Sequence, residues 1–141
     1  MKRTIGRIDK ADFPELGLYD IAVKIDTGAY TSSIHCQNVI EDAGVLKCNF
    51  LDKEHPGYDG KEFNFKEYQI KKVKSSNGIV QNRYMIQTTL ILFGEQQIIQ
   101  LTLSDREEMK FPVLLGRKFL NKKYIVDTGL TNLSYKQQTQ K

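Results

Sequence analysis

The sequence predicts an all-β domain, and three observations carry that prediction. Short apolar or alternating runs recur at Ile21–Ile25, Val45–Leu51 and Ile98–Leu103, the pattern of strands that bury one face or both. Turn formers separate the runs, most sharply at Asn77-Gly78 and at Gly94. Only Arg117-Lys118-Phe119-Leu120 reads as helical, and it is short.

At 141 residues the chain suits one domain with a core of its own. The expected domain is residues 1–134, followed by a polar tail, 135–141, that frays. Ile21–Ile25 is an apolar strand that ends at Asp26, and Thr31–Val39 and Val45–Leu51 follow as strands. Asp52–Lys61 gathers charge, Pro56 and two glycines into an exposed loop, within a Leu51–Phe65 segment able to gate a groove or cover a sheet edge. Two long strands, Tyr68–Val73 and Ile79–Phe93, flank Ser75-Ser76-Asn77-Gly78. Asn-Gly suits a type I′ turn because both central residues need φ > 0. Gly94-Glu95-Gln96 tips a second hairpin before Ile98–Leu103. Phe111–Gly116 is then a short buried strand, Arg117–Leu120 the helix, and Tyr124–Val126 the last strand.

Composition narrows the partners. The balance of 21 Lys+Arg against 17 Asp+Glu gives +4, compatible with an acidic partner. No aromatic stacking motif interleaves the lysine clusters at Lys71–Lys74 and Lys122-Lys123, so nucleic acid is not expected. No run reaches membrane-spanning length, and the opening residues lack the apolar core of a secretory signal. Two cysteines without a CxxC suit a reducing compartment, and a cytoplasmic location is the expectation.

The feature with most chemistry is Asp26-Thr27-Gly28, at the end of an apolar strand. The sheet can hold the carboxylate rigidly, Gly28 can turn with φ > 0 while substrate backbone approaches, and the Thr27 hydroxyl can lock the turn. It reads as half of an aspartic-peptidase site. Peptide hydrolysis by carboxylates needs two: one ionised to deprotonate water, one protonated to polarise the scissile amide. Asp and Gly also dominate ordinary turns, so the tripeptide gains weight only from its surroundings. A rival reading is zinc, since His35, Cys36, Cys48 and His55 are ligand types. Adjacent strand residues such as His35 and Cys36 point to opposite faces, however, and neither HExxH nor paired CxxC is present. The structural reading of these four is preferred, with no metal and no cofactor expected. Ser32-Ser33 near His35 lacks the GxSxG elbow of serine hydrolases.

Further segments join the first. Ala22-Val23-Lys24-Ile25-Asp26-Thr27-Gly28-Ala29-Tyr30-Thr31-Ser32-Ser33-Ile34-His35, Val73-Lys74-Ser75-Ser76-Asn77-Gly78, Leu101-Thr102-Leu103-Ser104-Asp105-Arg106 and Met109-Lys110-Phe111-Pro112-Val113-Leu114-Leu115-Gly116-Arg117 resemble a bacterial family known as ATP-dependent zinc proteases, which includes RimB-type proteins. Their order, an Asp-Thr-Gly loop, a hairpin and a hydrophobic-hydrophobic-Gly segment, resembles the retropepsin fold. Despite the family's name, the resemblance implies a retropepsin-like aspartic peptidase: an all-β closed barrel with a flap hairpin and one short helix. It also implies association with ATP-grasp ligases that add glutamate tails, and so a peptide or protein substrate with glutamate-rich or ligase-made tails. No GxxxxGK[ST] loop supports dependence on ATP.

By the same resemblance, Asp26 is catalytic, Thr27 braces paired loops, Gly28 contacts substrate backbone and Ala29 leaves space beside it. Ser75, Ser76, Asn77 and Gly78 close over substrate as a flap, and Arg83, Arg106 and Arg117 are candidates for substrate carboxylates. A second Asp-Thr-Gly, Asp127-Thr128-Gly129, reads as a strand end and turn, because the chain stops too soon after it for a second flap. The expectation is therefore a homodimer in which each copy contributes Asp26. The alternatives are a non-catalytic peptide-binding module, in which bulky Tyr30 narrows the pocket, and a zinc-dependent peptidase.

Overall fold

The computed structural model describes residues 2–51, 55–74, 78–105 and 110–139. Six strands close into a barrel: β3 (Leu18–Ile25), β2 (Ile8–Phe13), β8 (Val80–Leu92), β9 (Glu95–Ser104), β4 (Ser32–Asp42) and β10 (Val113–Leu115), which pairs with both β4 and β3. The all-β barrel expected from the sequence is the fold observed. Its interior is apolar, with Val23, Ile34, Leu101, Val113 and Leu115 all fully buried. Closure removes the sheet edges that would otherwise leave backbone groups unpaired.

Turn chemistry sets the register. The β8–β9 ladder pairs Leu92 with Glu95, leaving Phe93 (φ 55°) and Gly94 (φ 72°) as a two-residue loop with both residues left-handed. The expected tip at Gly94-Glu95-Gln96 thus lies earlier, and Glu95 and Gln96 belong to the strand. Ala43 (φ 50°) and Gly44 (φ 78°) make the same kind of turn between β4 and β5 (Val45–Phe50).

Two additions flank the barrel. β4 runs on past it to pair with β5, which pairs with β6 (Glu62–Phe65). The end of the expected Leu51–Phe65 loop is therefore a strand, fixed by Phe50, Phe63 and Phe65, whose rings lie edge-on or stacked at 5.1–6.5 Å. The other addition is the hairpin arm β7 (Gln69–Lys74), antiparallel to β8 from Gln69↔Met85 to Lys74↔Val80. Its expected tip residues Ser75, Ser76 and Asn77 lie outside the described residues, while Gly78 has φ 84°.

The chain ends bring the main departures. β1 (Arg3–Ile5) and β2 were not anticipated; β1 pairs in parallel with β11 (Tyr124–Val126) as a separate two-stranded sheet. The short helix after Gly116 forms as α1 (Arg117–Leu120), but residues 135–139 of the tail expected to fray are also helical, within α2 (Leu133–Thr139). Its cap is remote in sequence. The buried Asp9 carboxylate accepts from the backbone N–H groups of Ser134 (2.9 Å) and Tyr135 (3.1 Å), and the Ser134 hydroxyl accepts from Phe93 N–H at 2.7 Å. No helix among the described residues is long and apolar enough to cross a membrane.

Candidate active site

β3 delivers Asp26 to the end of the barrel, and two neighbours fix its backbone. Asp26 N–H donates to the Leu115 carbonyl at 2.9 Å, the next rung after the parallel Leu115–Ile25 pairing. On the other side, Ile25 N–H donates to the Arg7 carbonyl at 2.9 Å. The loop then closes on itself, Ala29 N–H reaching the Asp26 carbonyl at 3.2 Å. The carboxylate is aimed by its own loop, with Oδ1 accepting from Gly28 N–H at 3.0 Å. This corrects the expected use of Gly28: it is not among the glycines with positive φ, and its contribution is the N–H. A Cβ there would approach Asp26 Oδ1 to 3.3 Å.

The segment after β10 locks this loop from outside. Gly116 lies so close that a Cβ would stand 2.5 Å from the Thr31 carbonyl oxygen, and its N–H donates to the buried Ser32 hydroxyl at 3.0 Å. Arg117 N–H donates to the Ala29 carbonyl (2.8 Å), its Nη1 donates to the Thr27 carbonyl (3.0 Å), and its guanidinium lies 5.7 Å from the exposed Tyr30 ring. The structure thus gives Arg117, expected to meet substrate, a bracing position.

Asp26 opens onto a cleft of about 460 Å³. Ala29, Thr31, Ser33 and Leu114 line it together with Gln81, Asn82 and Arg83 of β8. Arg83, expected as a substrate contact, is placed in the same cleft as Asp26; Arg106 lies outside the described residues. Sequence reasoning missed Thr31, Ser33, Gln81 and Asn82 as cleft residues, since no local pattern marks which side of a strand faces a groove. Asp105, directly after the end of β9, adds a carboxylate to the cleft wall.

The other ligand-type residues sit elsewhere. His35 is buried with its ring 5.3 Å from that of His55, edge to face, and Cys36 and Cys48 are buried free thiols. Among the described residues no group of three or more His, Cys, Asp or Glu side chains is arranged to hold a metal. Burial pushes both thiols up, Cys48 to about 12, so the fold keeps them protonated. Their stabilising effect is full below the ordinary thiol value of 9.0 and is lost as pH climbs from there towards about 12, because only the unfolded thiols ionise in that window. Native protein at pH 8 is expected to resist iodoacetamide and to take up two labels per chain on addition of denaturant. Stoichiometric labelling of the folded protein would contradict this burial.

The chain resembles known proteins over most of its length. The chain is 33% identical over 132 residues to a protein of Shewanella halifaxensis (strain HAW-EB4) named "Probable alpha-L-glutamate ligase", covering 89% of this chain but 28% of that one. A namesake from Desulfotalea psychrophila is 31% identical over 148 residues, covering 92% of this chain and 29% of its own. The chain therefore spans under a third of the length of these relatives. The crystal structure of Lpg0085, a Legionella pneumophila protein of unknown function, superposes with a TM-score of 0.70 at 26% identity, over 95% of this chain and 99% of that one. Residues 4–137 match the RimB-like family, described as "Retropepsin-like aspartic endopeptidase RimB", and the chain belongs to that family.

Proposed function

We propose that this protein is a homodimeric aspartic endopeptidase in which the Asp26 carboxylates of two copies share one lytic water. The observation that carries the reading is the carboxylate pre-aimed by Gly28 N–H at the edge of a polar cleft. Two like charges a few ångströms apart do not both ionise readily, so such a pair holds one proton between them. The ionised Asp26 takes a proton from water as the oxygen adds to the scissile carbonyl, and the protonated Asp26 hydrogen-bonds the carbonyl oxygen. The tetrahedral intermediate then collapses as the amine leaves with a proton. No metal or nucleotide is required.

The proposed substrate is a glutamate-rich peptide tail. Arg83 in the cleft offers a planar fork that matches a carboxylate, and the relatives named as glutamate ligases supply the matching chemistry. Gly78 and its neighbours on the β7–β8 arm would close over the bound peptide.

Sedimentation velocity, paired with cleavage of a fluorogenic oligoglutamate peptide across the same concentration range, tests the dimer. Activity per chain is expected to rise in step with the dimer fraction. A monomer that cleaves at full specific activity would remove the shared pair of Asp26 carboxylates.

A further inference from the structure

The second Asp-Thr-Gly shares the backbone bonding of the first. β3 runs parallel to β10 with Ile25 beside Leu115, and β11 runs parallel to β1 with Val126 beside Ile5. Asp26 N–H donates to the Leu115 carbonyl and Asp127 N–H to the Ile5 carbonyl, both at 2.9 Å. Gly129 N–H reaches Asp127 Oδ1 at 2.9 Å, as Gly28 N–H reaches Asp26 Oδ1 at 3.0 Å. Both loops close with a 3.2 Å bond, Ala29 to Asp26 and Leu130 to Asp127.

The match extends to the bracing segment. Each partner strand continues into Gly-Arg: Gly116-Arg117 in one unit, Gly6-Arg7 in the other. A Cβ on Gly6 would stand 2.2 Å from the Leu130 carbonyl oxygen, a backbone approach as close as that of Gly116, whose contacts fall one and two residues further along its loop, at Tyr30 and Thr31. Arg7 N–H donates to the Leu130 carbonyl at 2.9 Å and its Nη1 to the Thr128 carbonyl at 3.1 Å, as Arg117 does to Ala29 and Thr27. An ordinary Asx turn explains only the Oδ1 bond. It supplies neither a parallel partner strand, nor the close glycine, nor the arginine clamp. The chain thus holds two copies of one loop-and-clamp unit, with clamp and loop in opposite order along the sequence.

The second loop does not share the cleft: Asp127 is exposed and is absent from the walls that Asp26 lines. Its connection to Asp26 runs through Arg7, whose N–H and guanidinium grip the second loop while its carbonyl accepts Ile25 N–H, one residue before Asp26. We infer that Asp127-Thr128-Gly129 is a positioning loop: Asp127 shapes it as a backbone acceptor, it fixes Arg7, and Arg7 fixes the strand end that carries Asp26. The consequence for turnover rests on Asp26 being the working carboxylate; the brace itself does not.

Amide hydrogen exchange followed by NMR tests the brace without a substrate. In Asp127→Ala, protection of Ile25 N–H is expected to fall about tenfold while that of Leu101 in β9 is unchanged, and Asp127→Asn, whose Oδ1 still accepts from Gly129, should keep Ile25 protected. Arg7→Ala, which removes the guanidinium but not the carbonyl, serves if the first variant does not fold, and should likewise loosen Ile25 before Leu101. Unchanged protection of Ile25 in both variants overturns the inference, as does uniform loss across the barrel in both. So does loss of oligoglutamate cleavage in Asp127→Asn with exchange unaltered, which would make Asp127 a catalytic acid. A chain that cleaves nothing leaves the exchange result readable, so the brace and the peptidase reading fail separately.

Discussion

Asp26→Asn is expected to lower kcat for peptide cleavage by about 10³-fold or more while leaving the melting temperature unchanged. The substitution is nearly isosteric, and the amide oxygen can still accept the 3.0 Å bond from Gly28 N–H, so the loop keeps its shape. What disappears is a group able to take and return a proton. A peptide-binding module would behave differently: its affinity for oligoglutamate would barely change, and no turnover would be lost because none existed. Calorimetric binding alongside the cleavage assay separates these outcomes. Retained cleavage by the Asn variant would remove Asp26 from the chemistry.

The second large effect is steric. Gly116→Ala would place a Cβ 2.5 Å from the Thr31 carbonyl oxygen and 2.7 Å from that of Tyr30. Gly116 itself sits at φ −95° and ψ 178°, which alanine adopts freely, so the whole cost comes from contact with backbone that cannot swing aside. A loss of about 3 kcal/mol or more is expected, at or beyond the upper end for overpacking. Gly17→Ala makes the control. Nothing lies within 4 Å of its Cβ position, and its φ of 66° should cost about 1 kcal/mol through conformation alone. Urea titration of the two variants measures both, and equal losses would mean that the Gly116 contact is relieved by movement of the Tyr30–Thr31 segment.

Much of this architecture was legible in the sequence, for reasons that also explain what was not. β3, β5, β8, β9 and β10 announce themselves through apolar alternation or short apolar runs bounded by turn residues, and the Asp26 loop through its position at a strand end. β2 escaped because a carboxylate, Asp9, occupies one of its buried positions between Ile8 and Ala11. That anomaly is explained by α2, which escaped for the complementary reason: its capping acceptor comes from β2, near the other end of the chain. The bracing role of Arg117 was hidden because its bond goes to a backbone carbonyl, which leaves no mark in residue types. The same holds for the second loop. Residues 130–141 hold no hydrophobic-hydrophobic-Gly companion for Asp127; the segment that takes that place, Thr4-Ile5-Gly6, lies at the other end of the sequence.

The pairing of β1 with β11 and the Arg3 Nη1 bond to Gln137 at 3.0 Å tie the first and last elements of the fold to each other. Two elements held together in this way, one from each half of the fold, resist being peeled off singly. Because Arg7 follows β1 after Gly6 alone and its carbonyl accepts from Ile25 N–H, loosening either element would be felt at the strand end that carries Asp26.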